Sequence, residues 1–419
     1  MNLSKTEKLR VDSLSFIQDK FREYYRENFS NVELPPEFEK REFGFFLVRE
    51  KIMIRHLGFR RAKELKDFLV DRAPSHVYYS IAYYERPEED MDRKGWLGAD
   101  ILFDIDADHI PTPCDKSHDT WTCRNCGLTQ RGKAPEACPN CGGNKFEERT
   151  WPCEVCLEAA KRETMKLIDI LTEDFGFSTD ELKIRFSGQR GYHLHVESDV
   201  IRSLDSMARK EIVDYLVGIG LDPELHGLYE QKGDHRVVGP DLGDAGWRGR
   251  IARGIYDLLL NADKEKLLNI GLKRNIADLL IKSRDELIQG WKRGVAWNIR
   301  RGIGVETWKK IAIAGLESQI VRIDTVVTTD IHRLIRLTGT LHGKTGLVKT
   351  EVPVKWIEAF DPLREAVAFR KGSVRVHVIE APKFRLGEEV YGPYSNREVE
   401  LPTSAALLLL CKGLARLAT

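Results

Sequence analysis

Seven of the eight cysteines in this 419-residue chain fall between Cys114 and Cys156, and no other feature restricts its fold so tightly. Cys123-Arg124-Asn125-Cys126-Gly127 and Cys138-Pro139-Asn140-Cys141-Gly142 each read as a tight knuckle whose thiolates converge. The glycine after each pair supplies the positive φ such a turn needs. Together Cys123, Cys126, Cys138 and Cys141 define a zinc ribbon, and Cys114, His118, Cys153 and Cys156 form a second, Cys₃His set. A different grouping joins Cys114, His118, Cys123 and Cys126 as one site and the other four cysteines as a second. The first is preferred, because the ribbon then becomes a self-contained insertion in a loop that the outer four ligands close. Either way each set has four ligands and no open position, which marks structural zinc. Cysteines clustered as C-x-x-C in a large chain read as metal binding in a reducing cytoplasm, not as disulfides. Cys411, in an apolar C-terminal segment, reads as core. The tip Arg131-Gly132-Lys133 can reach nucleic acid, with a scaffold role the default.

Just ahead of the cysteines, Leu102-Phe103-Asp104-Ile105-Asp106 alternates apolar and acidic residues. In a strand Asp104 and Asp106 share one face, about 7 Å apart along the backbone. Two carboxylates side by side repel unless a cation stands between them, and their oxygens suit Mg²⁺ or Mn²⁺. An EF-hand is excluded: counted from Asp104, the glycine position holds His109 and the final glutamate position Asp115.

A glycine-rich hairpin follows later. Leu182–Phe186 and Tyr192–Val196 read as strands around Ser187-Gly188-Gln189-Arg190-Gly191, with His193 and His195 on one face. A hydroxyl, an arginine and a histidine on such a turn can hold phosphate. Leu341-His342-Gly343-Lys344-Thr345-Gly346 is a second turn rich in phosphate-compatible groups. Between them, Asp205–Gly315 reads as a helical insertion with segments at Ser206–Val217, Arg248–Leu260, Lys264–Ile281 and Val305–Leu316. Its basic residues (Arg236, Arg248, Arg250, Arg253, Lys292, Arg293, Arg300, Arg301) interleave with Trp247, Trp291 and Trp297. That pattern fits either a nucleic-acid groove or a solvated basic face.

The remaining segments frame these motifs. Ser4–Phe29 reads as a helix, with Ser4 as its cap and Leu9, Phe16, Phe21 and Tyr24 on its stripe. Phe43–Leu47 and Lys51–His56 read as paired strands around Glu50-Lys51, and Arg61–Ala73 as a helix. His76–Tyr84 reads as β, with Arg55, Tyr83 and Tyr84 better placed for packing and ion pairing than for substrate. Gln319–Ile323 reads as a strand ending at Asp324. Residues 331–336 read as a helix with Arg333 and Arg336 on one side, Leu347–Val354 and Ser373–Ile379 as β, and Thr403–Leu417 as a closing helix. Lys+Arg (66) nearly equals Asp+Glu (65), so any nucleic-acid surface is local rather than a property of net charge. No apolar run reaches membrane-spanning length, and the N-terminus reads as a charged amphipathic segment, not a secretory signal. The expectation is a cytoplasmic protein with no membrane partner.

Four separated blocks resemble one family, the small catalytic subunit of archaeal and eukaryotic DNA primase, the archaeal form most closely. They are Arg41-Glu42-Phe43-Gly44-Phe45, Phe103–Asp106, Phe186–His193, and Arg322-Ile323-Asp324 with Asp330–Arg336 and Leu341–Gly346. The resemblance implies an α/β fold in which a mixed or antiparallel sheet carries the catalytic core, with an inserted helical domain and a zinc module. The expected divisions are core at 1–110, 158–204 and 316–385, zinc module at 111–157, helical insertion at 205–315, and a C-terminal segment at 386–419. It also implies that Asp104, Asp106 and Asp324 hold catalytic Mg²⁺ or Mn²⁺, with Asp324 carried in by an adjacent strand. Ser187, Arg190, His193, Arg336 and His342 would hold the triphosphate of an incoming nucleotide, with Arg55 and Glu42 supporting. Gln189 stands where relatives often carry a second arginine. The implied activity is de novo synthesis of RNA primers on single-stranded DNA from nucleoside triphosphates, in a heterodimer with a primase large subunit. Two other readings are a related primase-polymerase that extends or joins ends in repair, and a non-catalytic zinc-bearing nucleic-acid-binding protein.

Overall fold

The structure, a computed structural model, describes residues 5–48, 52–114, 117–233, 235–293, 297 and 303–418, with side chains from residue 12 onward. The Ser4 cap, the Leu9 side chain, the Glu50-Lys51 turn, Arg300 and Arg301 lie outside the described residues. The chain divides into two compact units. One comprises Met1–Thr164, Thr179–Lys210 and Ile323–Thr419, the other Met165–Ser178 and Glu211–Arg322.

The first unit is built on two four-stranded antiparallel sheets. Their strands are β1 (Phe43–Phe46), β2 (Met53–Leu57), β3 (His76–Ser80), β4 (Ile101–Asp106), β5 (Leu182–Phe186), β6 (Gly191–Val196), β7 (Leu334–Arg336) and β8 (Thr350–Val352). One sheet runs β7-β3-β1-β2 and the other β8-β5-β6-β4. β4 buries Ile101, Leu102, Phe103 and Ile105 and leaves its two aspartates partly open, as the alternation requires. All six residues of β6 are buried. The register sets His193 opposite Asp104 and Gly191 opposite Asp106, so the hairpin and the acidic strand meet edge to edge. Helix Lys5–Glu27 packs on helix Ala62–Arg72, and its Tyr24 and Tyr25 are buried, each hydroxyl donating to a backbone carbonyl.

Three elements differ from the sequence reading. Gln319–Ile323 forms no strand; its first two residues turn at the end of the preceding helix, their N–H groups donating to the Leu316 carbonyl, and the segment leads to Asp324, which caps the short helix Thr325–Thr329. Residues 331–336 are not helical either. Asp330 turns the chain by accepting from the His332 N–H, and Leu334–Arg336 then pairs with Ser80–Tyr78. An open strand edge on β3 outweighs a local helical period of six residues. The closing helix stops at Cys411, because Gly413 takes φ +68° and sends Ala415–Leu417 back as a strand beside Ser373–Ala381. Cys411 itself is only partly buried.

The second unit is helical, with Gly246–Asn261 and Val305–Leu316 in backbone contact at Gly254 and Gly315. The segment Lys264–Ile281 is two helices, Lys264–Asn269 and Arg274–Lys282, broken at Gly271 (φ +81°). Its tryptophans are core: Trp291, Trp297 and Trp308 meet edge-to-face with centroids 5.1–5.5 Å apart, and Trp247 is buried nearby. Arg250 is buried and bonded to Asp174 (2.6 Å) and Asp169 (3.0 Å). The basic-and-aromatic groove is therefore not formed by these residues, since the rings have no face free to stack a base.

Gly191 is where the two functional strands come closest. A Cβ there would lie 2.3 Å from the Ile105 carbonyl oxygen. Gly191→Ala should destabilise the chain by about 2–4 kcal/mol in chemical denaturation, the range of a backbone clash in a packed core. A loss under about 0.5 kcal/mol would show that this register is not as tight as described.

Candidate active site

Asp104 is a carboxyl set beside two others. Burial, Asp106 and Asp324 together push its carboxyl up to about 7, against a smaller opposing pull from Arg333 and Lys349. Asp104 and Asp106 project from one face of β4, and Asp324 arrives from a loop: its N–H donates to the Asp104 carbonyl at 2.9 Å. Its carboxylate also accepts from the Val326 N–H at 3.0 Å, as a helix cap. The three aspartates of the sequence reading thus converge, with the third delivered by a loop anchored to β4 rather than by a strand.

Facing them is a set of basic and neutral donors. The Ser187 oxygen accepts from the Gln189 and Gly191 N–H groups (3.3 and 3.2 Å), which closes the hairpin turn. Gly188 takes φ +83°, and a Cβ there would lie 2.9 Å from the Cβ of His342. Thr345 donates to the Gly188 carbonyl at 2.6 Å, so the two glycine-bearing turns are locked face to face. Nδ1 of His342 accepts from the Lys344 N–H at 3.1 Å, which leaves the ring proton on Nε2 as a donor. Burial and Arg336 hold His342 neutral, well below its ordinary range. His193 is likewise held neutral, by burial and by Lys349 and Arg336, and its Nε2 stands 3.6 Å from Asp104. Arg336 donates to the Ser187 carbonyl at 2.9 Å. Arg190 is engaged differently: it is buried against Asp106, Asp108 and Asp119, with 2.7 Å to Asp119. Gln189 turns away from this set and donates to Thr150.

Several neighbours were not singled out from sequence. Lys349 is fully buried, donates to the Arg336 carbonyl, and bears electrostatically on both Asp104 and His193. His76 meets the His342 ring edge-on at 5.0 Å. Nothing in the Leu347–Val352 alternation distinguishes Lys349 from a solvated strand residue. Asp119 adjoins a zinc-ligand histidine, and its position in the chain was the available signal. Arg55 and Glu42 form a bidentate pair (2.9 and 3.3 Å), with Lys94 also 3.4 Å from Glu42. Tyr83 is buried between Arg41 and Arg202, and Tyr84 is bonded to His332; these are packing and ion-pair roles.

The cysteines group as preferred from sequence. Cys114, His118, Cys153 and Cys156 bring their ligand atoms together, as do Cys123, Cys126, Cys138 and Cys141. Separations such as Cys114–Cys156 (3.6 Å), Cys123–Cys141 (3.5 Å) and Cys126–Cys138 (3.7 Å) match the roughly 3.7 Å between sulfurs that sit tetrahedrally about 2.3 Å from one ion. Both sets can hold zinc. His118 turns Nε2 to the thiolates (3.4 Å to Cys114 and to Cys156) and Nδ1 to Asp119 at 2.8 Å, the usual outer partner of a metal-bound imidazole.

An acidic cluster facing neutral and cationic donors has the chemistry that divalent cations and a polyanion require, as in phosphoryl-transfer centres. Comparison with known proteins names the family. Residues 143–354 match the family model of the DNA primase small subunit. The chain is 32% identical to the DNA primase small subunit of Nitrosopumilus maritimus over 405 residues, covering 97% of this chain and 99% of that protein. It is 35% identical to that of Methanococcoides burtonii (96% and 97% covered) and 36% identical to that of Archaeoglobus fulgidus (95% and 97% covered). The chain belongs to the DNA primase small subunit family. Among the described residues no helix is long and apolar enough to cross a membrane.

Because Asp104 titrates near 7, a cation bound there competes with a proton. Mn²⁺ affinity, read from the EPR signal of the free ion, should fall up to tenfold per pH unit below about 7. A flat profile between pH 5.5 and 7 would remove Asp104 as a ligand. A carboxyl raised in the folded state costs no stability well below its unfolded pKa of about 4 and costs most once pH exceeds its folded value near 7. Asp104→Asn should therefore stabilise the metal-free chain by about 1–2 kcal/mol at pH 8, and by less at pH 4. Equal thermal midpoints for variant and wild type at both pH values would contradict the repulsion.

Proposed function

We propose that this chain is the catalytic subunit of a DNA-dependent RNA polymerase that starts chains de novo, working with a large primase subunit on single-stranded DNA. The observation that carries the reading is the convergence of Asp104, Asp106 and Asp324 opposite a hairpin of phosphate-compatible donors. Asp104, Asp106 and Asp324 would hold two Mg²⁺ or Mn²⁺ ions. When bound, such ions favour the ionised attacking oxygen and offset charge on the departing pyrophosphate.

The chain's own groups do the rest by position and charge. Two nucleotides lie on the template, and the 3′-oxygen of one attacks the α-phosphorus of the other. The bond to pyrophosphate breaks as the new ester forms. Nε2 of His342, the Ser187 hydroxyl and the Arg336 guanidinium receive the triphosphate, in line with the acidic cluster. His193, neutral beside Asp104, can donate to a phosphate oxygen without adding a charge that would compete with the cations. Arg190 would contribute to this set through its charge and by holding Asp106. No side-chain nucleophile is required, because positioning and electrostatic stabilisation suffice. The name that the relatives carry, small subunit, supports a large partner.

Unprimed synthesis on single-stranded DNA, with labelled ribonucleotides and Mg²⁺ or Mn²⁺, tests the reading. Wild type should make product, and Asp104→Asn with Asp106→Asn should lose at least about 10³-fold with its fold intact. Product from the double variant would refute the carboxylate assignment. Extension of a primer without initiation would favour the repair polymerase. His342→Ala should raise KM for nucleotide about tenfold and change kcat less, since it removes a binding contact. An unchanged KM would take His342 out of the triphosphate site.

A further inference from the structure

Asp119 stands between the two halves of this chemistry. One carboxylate oxygen takes Nδ1 of His118 at 2.8 Å and the Trp151 N–H, also at 2.8 Å. The other takes Nη1 of Arg190 at 2.7 Å. The same guanidinium reaches Asp108 and approaches Asp106, its Nε 3.8 Å from the Asp106 oxygen. Arg190 is 1% exposed and Asp119 6%. A line of hydrogen bonds thus runs from the His118 imidazole through one buried carboxylate to one buried guanidinium, which pairs by charge with an aspartate of the acidic cluster. The Asp119–Arg190 link is a charge-assisted hydrogen bond between two buried groups, and such a contact is stiff and costly to break singly.

We propose that Asp119 is a positioning residue that couples zinc occupancy at Cys114, His118, Cys153 and Cys156 to nucleotide binding, acting through Arg190. With the metal bound, the imidazole is fixed with Nδ1–H aimed at Asp119, and the carboxylate is held for Arg190. Arg190 in turn holds the carboxylates of Asp106 and Asp108 and the end of the hairpin turn. Without the metal, His118 is released to rotate, Asp119 loses one of its three donors, and Arg190 loses its fixed partner. The zinc module is then more than a peg beside the active site: the occupancy of one site sets the affinity of the other, and the effect is reciprocal. The ribbon at Cys123, Cys126, Cys138 and Cys141 has no such line to the hairpin among the described contacts, so its zinc serves as an internal reference.

This inference rests on the nucleotide-binding reading above, and its test separates the two. Zinc release from the full chain is titrated with a chromophoric chelator, with and without Mg²⁺ and a nucleoside triphosphate. Nucleotide binding is followed independently by equilibrium dialysis of a labelled nucleotide. In wild type, one of two zinc equivalents should be held about 5–100-fold more tightly when nucleotide is present, and the other should not respond. Asp119→Asn, which keeps the shape but not the charge, should weaken the responsive zinc about 10–100-fold and abolish its response. Arg190→Lys, which leaves the Asp119–His118 contact in place, should keep zinc affinity near wild type yet lose the response. Circular dichroism establishes that each variant is folded; should Asp119→Asn not fold, the Arg190→Lys titration decides. Nucleotide that binds wild type without moving either zinc equivalent would overturn the coupling and leave the nucleotide reading intact. Zinc release from Asp119→Asn indistinguishable from wild type would overturn it as well. Failure of wild type to bind nucleotide in the dialysis would instead strike the nucleotide reading, and the coupling with it.

Discussion

The gathering of Asp104, Asp106 and Asp324 beside one sheet face is the constraint around which the candidate site is arranged. Burial, with the like charges of Asp106 and Asp324 added to it, disfavours the ionised form and pushes the Asp104 carboxyl up to about 7. A fold does not keep such an arrangement for stability. A cation bound among the three carboxylates would reverse the sign of the interaction. The surrounding architecture makes the cluster hard to relax. β4 is an edge strand that buries four apolar residues on the same six-residue run, and Asp324 is tied to it by a backbone hydrogen bond and by its own helix cap.

The opposing wall is organised by the same logic with the sign inverted. Burial first, then Lys349, Arg336 and Arg185 around His193 and Arg336 around His342, hold both imidazoles neutral. Neutral donors among fixed cations suit a triphosphate, whose charge is met without the wall becoming so positive that it repels the metal ions. The glycines at 188 and 191 allow the two turns and β4 to approach as closely as they do, since a side chain at either would strike His342 or the Ile105 carbonyl.

The local chemistry of this site was legible in sequence, and its assembly was less so. Alternation put Asp104 and Asp106 on one face, and knuckle spacing grouped the eight zinc ligands as the structure does. Asp324 was recognised by its block, yet its approach was misjudged, because a short β-branched stretch such as Gln319–Ile323 does not reveal whether a ladder partner exists. Residues 331–336 failed for the complementary reason: an open edge on β3 overrode a helical period. The tryptophans of the helical unit show a limit of composition, since basic and aromatic interleaving describes a buried aromatic core with a salt-bridged margin as well as it describes a groove. Lys349 and Asp119 carry no motif at all. Their importance comes from burial beside other charges, which only the packed chain reveals.

The most direct test of the account is to locate the metal. Crystals grown with Mn²⁺ and a nucleoside triphosphate blocked at the α,β-bridge would be measured at the manganese absorption edge. The account predicts anomalous density between Asp104, Asp106 and Asp324, with the triphosphate running toward Ser187, Arg336 and His342. Manganese elsewhere, or a triphosphate bound away from both glycine-bearing turns, would contradict it.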